Sequence, residues 1–146
     1  MFENLGNSGI AHVIQLSVAP VFLLTSIAAI LGVMTNRLAR VVDRARALEI
    51  KLAGAEGAAY NDIHGRLKTL SRRAQLISRA IVLCVVTAVL VCAVIITLFL
   101  GAFLSFDAAV PAALLFIAAL LAFLLALVGL LREIFLATSS LKIGPE

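Results

Sequence analysis

Three long stretches without a single Asp, Glu, Lys or Arg, at 10–34, 81–105 and 108–131, limit what this chain can become. About 20 apolar residues in helical form cross a hydrocarbon core of about 30 Å. A backbone in lipid must satisfy its own amides and carbonyls, which for an isolated segment of this length means helix. Composition excludes the soluble alternative. Of the 146 residues 63% are hydrophobic, against roughly 45–50% in soluble domains, and a core this small cannot hide the excess. The chain is expected to be a single all-α membrane domain with three transmembrane helices and the lipid bilayer as its solvent. The first stretch does not read as a cleaved secretory signal, which would have a basic n-region before an apolar run of about 7–15 residues. Here no Lys or Arg precedes Arg37.

The net charge of +4 matters less than its distribution. Ten of the twelve basic residues lie in 36–79, and the other two, Arg132 and Lys142, follow the third stretch. No basic residue lies before the first stretch or in the Ser105–Phe106–Asp107 turn. By the positive-inside rule this places the N-terminus outside and both the 36–79 segment and the C-terminus in the cytoplasm. Nucleic acid is an unsuitable partner, because the basic segment has one aromatic residue, Tyr60, and no groove-reading motif.

Within 36–79 apolar residues recur at Leu38, Val41, Ala45, Leu48 and Leu52, and again at Tyr60, Ile63, Leu67, Leu70, Ala74 and Ile77. This is the 3-4 spacing of a helical stripe and of a coiled-coil seam. Gly54 and Gly57 bracket a stop and turn between the two runs. The pattern predicts a long cytoplasmic antiparallel helical hairpin between the first and second spans, each arm continuing a membrane helix. Gly65 weakens the early return arm by about 1 kcal/mol relative to Ala. Asp43 is placed to meet Arg40 or Arg46, and Glu49 to meet Arg46. The surplus of arginines fits lipid-headgroup anchoring, a pore entrance or a surface for a cytoplasmic protein partner.

Each span has a column of small residues, including Thr25, Ala28, Gly32 and Thr35 on the first, Ala80, Cys84, Ala88 and Cys92 on the second, and Ala119, Ala122, Ala126 and Gly129 on the third. Such columns mark faces where helix backbones approach closely in lipid. Ala28, Gly32, Ala122, Ala126 and Gly129 are the candidate packing positions. A homo-oligomer is expected, because three helices satisfy only some of these faces within one chain. Pro20 removes an amide bond from the first span and is expected to kink it. No span has an acid or base in its middle, so a proton relay or ion-coupled carrier is not expected. Asp107 and Glu133 lie at span ends, where both are expected to be hydrated, capping or paired.

One face of the first span and its continuation reads His12, Gln15, Ala19, Phe22, Ser26, Ala29, Val33, Arg37, Arg40, Arg44. Around a symmetry axis these residues would stack into polar, apolar and cationic rings, the construction of a pore with a hydrophobic constriction. Gln15, Phe22, Ser26, Val33, Arg37, Arg40 and Arg44 are therefore the candidate pore-lining residues. The alternative is that His12 and Gln15 lie at the headgroups and Ser26 bonds back to its own helix. No catalytic or metal site is expected: His12 and His64 are far apart in sequence, and no metal-ligand spacing, phosphate loop or nucleophile elbow occurs. Cys84 and Cys92 are roughly 12 Å apart along a helix, too far for a disulfide. The chain is not expected to be an enzyme or to need a cofactor.

The pairs Gln15–Leu16 and Ala19–Pro20, the runs Phe22–Leu23–Leu24–Thr25 and Thr35–Asn36–Arg37–Leu38, and Val42–Asp43–Arg44–Ala45–Arg46 resemble the hallmark of an uncharacterised family of small bacterial three-helix membrane proteins, a domain of unknown function. The resemblance implies a bacterial inner-membrane setting and brings no activity with it. Two functions follow as expectations. The first is a homo-oligomeric ion channel lined by the first helix. The second is a non-conducting scaffold or regulatory subunit that recruits a partner through its basic cytoplasmic hairpin.

Overall fold

A computed structural model describes residues 2–139, with side chains from 9 to 138. The described residues form three helices and no strand: α1 (Phe2–Leu52), α2 (Ala58–Leu104) and α3 (Ala109–Ser139). Each contains a window long and apolar enough to cross a membrane, of which only 17%, 22% and 11% respectively is buried within the chain. Most of the apolar surface therefore faces outward, as it must where the solvent is lipid.

The ends of the helices follow from local chemistry. The last turn of α1 tightens, with the amide of Gly54 donating to the Lys51 carbonyl and that of Ala55 to the Leu52 carbonyl. Gly57 then takes a positive φ of 61°, a conformation that costs L-residues roughly 1–2 kcal/mol and glycine nothing, and α2 starts at the next residue. The sequence pattern locates this turn correctly, and Gly65 does not prevent α2 from being helical from Ala58 onward. The second turn is built differently. Ser105 takes a φ of 54° just past the end of α2, and the Asp107 carboxylate accepts the amide hydrogen of Ala109, capping α3.

The structure adds a periodicity that the uniformly apolar spans conceal. On α1, the residues Val13, Ser17, Pro20, Ile27, Met34 and Val41 are buried, and Leu24, Leu31, Leu38, Ala45, Leu48 and Leu52 are half-buried between and beyond them. Together they make one 3-4 stripe along the helix. The hairpin stripe read from sequence is thus the end of a longer one. On α3 the buried positions are Ala112, Ala119, Ala126 and Glu133, each seven residues after the last. A repeat of seven keeps one seam facing its partners despite the 3.6-residue turn.

The contacts divide the chain into two compact units, Met1–Ile30 with Leu83–Leu124, and Leu31–Val82 with Leu125–Glu146. In the first, Val13, Ser17, Pro20 and Ile27 of α1, Cys84, Thr87, Val91 and Val94 of α2, and Ala112 and Ala119 of α3 are buried. Its polar members are satisfied locally: the Ser17 hydroxyl donates to the Val13 carbonyl at 2.8 Å and Thr87 to Leu83 at 2.8 Å. α1 runs on through Pro20. In the second unit the buried residues are Met34, Val41, Leu70, Ile77, Ala80, Ala126 and Glu133.

Of the expected packing positions, Ala126 is buried and Ala122 and Gly129 are half-buried, whereas Ala28 and Gly32 are exposed. A side chain at Gly129 would meet the Ala80 Cβ at 3.5 Å, ordinary contact, so helix approach here leaves room for one methyl. Buried Gly101 is different: a Cβ there would overlap that of Ala108 and stand 3.3 Å from the Phe106 carbonyl oxygen. The same substitution should therefore act differently at the two sites. Gly129→Ala should leave thermal unfolding in detergent unchanged or raise stability by up to about 1 kcal/mol through helix propensity. Gly101→Ala should lower it, by about 1–3 kcal/mol on the scale of overpacked cores; equal effects at both sites would contradict the packing described.

Candidate functional site

The polar centre of the second unit is Glu133, whose side chain has no exposed surface. The Arg73 Nε and Nη2 donate to its Oε1 at 3.2 and 2.9 Å. The Arg37 Nη2 stands 2.6 Å from Oε2 in an ion pair, although no N–H is directed at that oxygen in hydrogen-bond geometry. One residue from each helix thus meets at a single carboxylate.

The three residues come together because of their places in the helical repeat. Arg37 lies three residues after buried Met34 and four before buried Val41; Arg73 lies three after buried Leu70 and four before buried Ile77. Both flank their helix's buried stripe at the equivalent step. Their long stems reach inward along apolar surface while the side chains stay 31% and 16% exposed. Glu133 occupies the seam position itself, seven residues after Ala126, where the earlier members of the repeat are alanines. Alanine lets helices approach closely. The fourth position instead receives a carboxylate and the two guanidiniums that surround it.

The sequence reading expected Glu133 to be hydrated, capping or paired at a span end; it is paired, with Arg37 and Arg73, but it is buried, and the expectation of hydration is corrected. Arg132 is exposed and Glu133 is turned away from it into the seam. Arg73 was not singled out at all. The available signals were the seven-residue step from Ala126 and the matched offsets of Arg37 and Arg73 from their stripes. Among the described residues, Asp43 makes no ion pair with Arg40 or Arg46, and Glu49 makes none with Arg46. The local pair is Arg66 with Asp62, at 3.0 Å on the surface.

The remaining candidates from the first helix lie apart from this cluster. Gln15, Phe22, Ser26, Val33, Arg40 and Arg44 are exposed, and Arg37 alone is drawn toward Glu133. The Ser26 hydroxyl donates to the Phe22 carbonyl at 3.2 Å, and Thr25 to Val21 at 3.3 Å. These hydroxyls have partners in their own helix.

Around the cluster the hairpin arms are only partly closed. Val41, Leu70 and Ile77 are buried, but Leu38, Ala45, Leu48, Leu52, Ile63, Leu67 and Ala74 are half-buried. A cleft of about 1310 Å³ includes Val42, Ala45, Leu52, Leu67 and Leu136 in its lining, with Arg46, Lys68 and Arg72 also on its wall. A second cleft, of about 680 Å³, is lined by Leu48 and Leu70 with Arg44 and Arg66. Among the described residues no group of three or more His, Cys, Asp or Glu is placed to hold a metal ion. Cys84 and Cys92 are free thiols.

A family model described as a protein of unknown function (DUF2721) matches residues 17–143, a stretch that includes Arg37, Arg73 and Glu133. No curated protein and no solved structure matches the chain.

The cluster makes an ordered prediction for stability. Replacing both Arg37 and Arg73 by Ala strands a buried carboxylate and should cost about 3–5 kcal/mol. Glu133→Met should cost less, because it fills the seam with an apolar side chain and frees two partly exposed arginines to turn toward water. Thermal unfolding in detergent measures both; a Glu133→Met protein less stable than the double arginine variant would contradict this account of the cluster.

Proposed function

We propose, from the premise that this chain belongs to the DUF2721 family, that it is a non-conducting membrane scaffold or regulatory subunit whose basic hairpin takes up a helix of a partner protein. The observation that carries the reading is the half-open hairpin. Two antiparallel helices cover each other's heptad stripes on one side only, and here they leave Ala45, Leu52 and Leu67 along a long cleft. A third helix laid into such a groove by its apolar face would complete the seam.

Charge selects the kind of partner. The hairpin sequence 36–79 has ten basic residues against Asp43, Glu49, Glu56 and Asp62, and Arg46, Lys68 and Arg72 stand on the cleft wall. A second copy of the same hairpin would bring like charge to like charge, which is unfavourable for association. The fitting occupant is an amphipathic helix with acidic flanks. In this reading the hairpin and the C-terminus lie in the cytoplasm of a bacterial cell and the N-terminus outside the inner membrane, in keeping with the positive-inside rule. Copies of the chain associate through membrane faces left uncovered, among them Thr25, Ala28, Gly32 and Thr35.

A second reading, the ion channel, is favoured by the outward exposure of Gln15, Phe22, Ser26 and Val33 along one face of α1. The withdrawal of Arg37 to Glu133 counts against its cationic inner ring. Liposome flux separates the two. The scaffold reading expects no ion flux from the purified protein, and none gained in Phe22→Ser or Val33→Ser. Flux that rises in either variant selects the channel. A photocrosslinker at Leu67 in cells should label a second polypeptide, and the adduct should disappear when Arg46 and Lys68 are replaced by Glu. Labelling confined to the chain itself would remove the case for a partner groove.

A further inference from the structure

The Glu133 cluster opens onto a separate cleft of about 560 Å³, whose charged walls are Arg37, Arg40, Asp43, Arg44, Arg73 and Glu133. Four guanidiniums against two carboxylates leave it with a formal charge of +2. Arg37 and Arg73 are already held by Glu133, whereas Arg40 and Arg44 have no ion-pair partner among the described residues. At i and i+4, Arg40 and Arg44 share one face of α1. They stand beside a cationic wall that needs no further ordering.

The chemistry matches a phosphate group. A guanidinium has five N–H donors in a fixed fork suited to phosphate oxygens, and Arg73 commits only two of its nitrogens to Glu133. The position fits as well. Arg37 follows closely on the first apolar stretch and Glu133 on the third, the depth at which a helix leaves hydrocarbon for the headgroup layer.

We propose that this cleft binds a phosphate group, with Arg40 and Arg44 as its direct donors and Arg37 and Arg73 as a preordered cationic wall. The phosphate of an anionic lipid headgroup and free inorganic phosphate share this chemistry. The site stands independently of the scaffold reading, which assigns Arg40 and Arg44 no ligand.

The test uses the full-length protein in a non-ionic detergent, titrated with phosphatidylglycerol or with inorganic phosphate while the unfolding midpoint is followed. A midpoint that rises with phosphatidylglycerol alone assigns the site to lipid, and one that rises with inorganic phosphate assigns it to a free anion. In either case R40Q/R44Q should weaken the response about tenfold or more, as expected for the loss of charge-assisted hydrogen bonds. K51Q/R79Q, which removes the same charge outside this cleft, should leave it within about twofold. Arg40 and Arg44 are exposed and outside the Glu133 cluster, so their loss should not prevent folding. Absence of a midpoint change with either ligand, or equal weakening by the two variants, would overturn the proposal.

Discussion

A buried carboxylate between two guanidiniums sets the terms for the second structural unit. Taking charges out of water costs several kcal/mol per ion, and attraction offsets that cost only where the geometry is close and the hydrogen bonds are made. Glu133 has two hydrogen bonds from Arg73 on Oε1, and at Oε2, which accepts none, the charge of Arg37 close by in an ion pair. Since the three residues come from three helices, satisfying one charge fixes the registry of all three at that level. Hydrophobic burial does not drive helices together in lipid, where lipid tails are as apolar as leucine. A charge that is costly to leave alone supplies specificity that a seam of alanines lacks.

The seam itself is the second organising constraint. Ala112, Ala119, Ala126 and Glu133 keep a strict interval of seven, and the α1 stripe from Val13 to Leu52 keeps its 3-4 spacing along the helix. Small side chains and hydroxyls bonded to their own helix, as at Ser17 and Thr87, allow close packing without unsatisfied donors. Within the second unit, Leu38, Leu48, Leu52 and Leu67 stay half-buried, and two clefts flank them, the larger with Leu136 of α3 in its lining.

Much of the architecture was legible because it depends on coarse patterns. The three helices followed from uninterrupted apolar stretches, the turn from Gly54 and Gly57, and the hairpin stripe from leucines that stand out against charged neighbours. Inside the spans the same reasoning lost contrast. When every position is apolar, the face toward another helix and the face toward lipid look alike, so the α1 stripe between Val13 and Met34 was not distinguished. Ala28 and Gly32, chosen as packing positions for their size, lie on a face of α1 that this chain itself leaves uncovered. Glu133 was expected to be hydrated because it lies at the end of a span, whereas its angular position on α3 follows Ala126 into the buried seam. Arg37 was grouped with Arg40 and Arg44, yet it lies on the border between that face and the buried stripe, close enough for its long side chain to turn inward.

The arginines at the end of the first apolar stretch thus divide into distinct roles. Arg37 belongs to the helix seam; Arg40 and Arg44 remain available to a ligand. That division is what separates this chain from a pore lined by α1, which would need Arg37 directed at a shared axis. The most direct measurement is an experimental structure of the assembled protein in a lipid nanodisc, at a resolution that places the Arg37 guanidinium. The account predicts that it rests on Glu133 of its own chain, with Arg73 on the same carboxylate. Arg37 side chains ringed around a central axis, with Glu133 released from them, would contradict it.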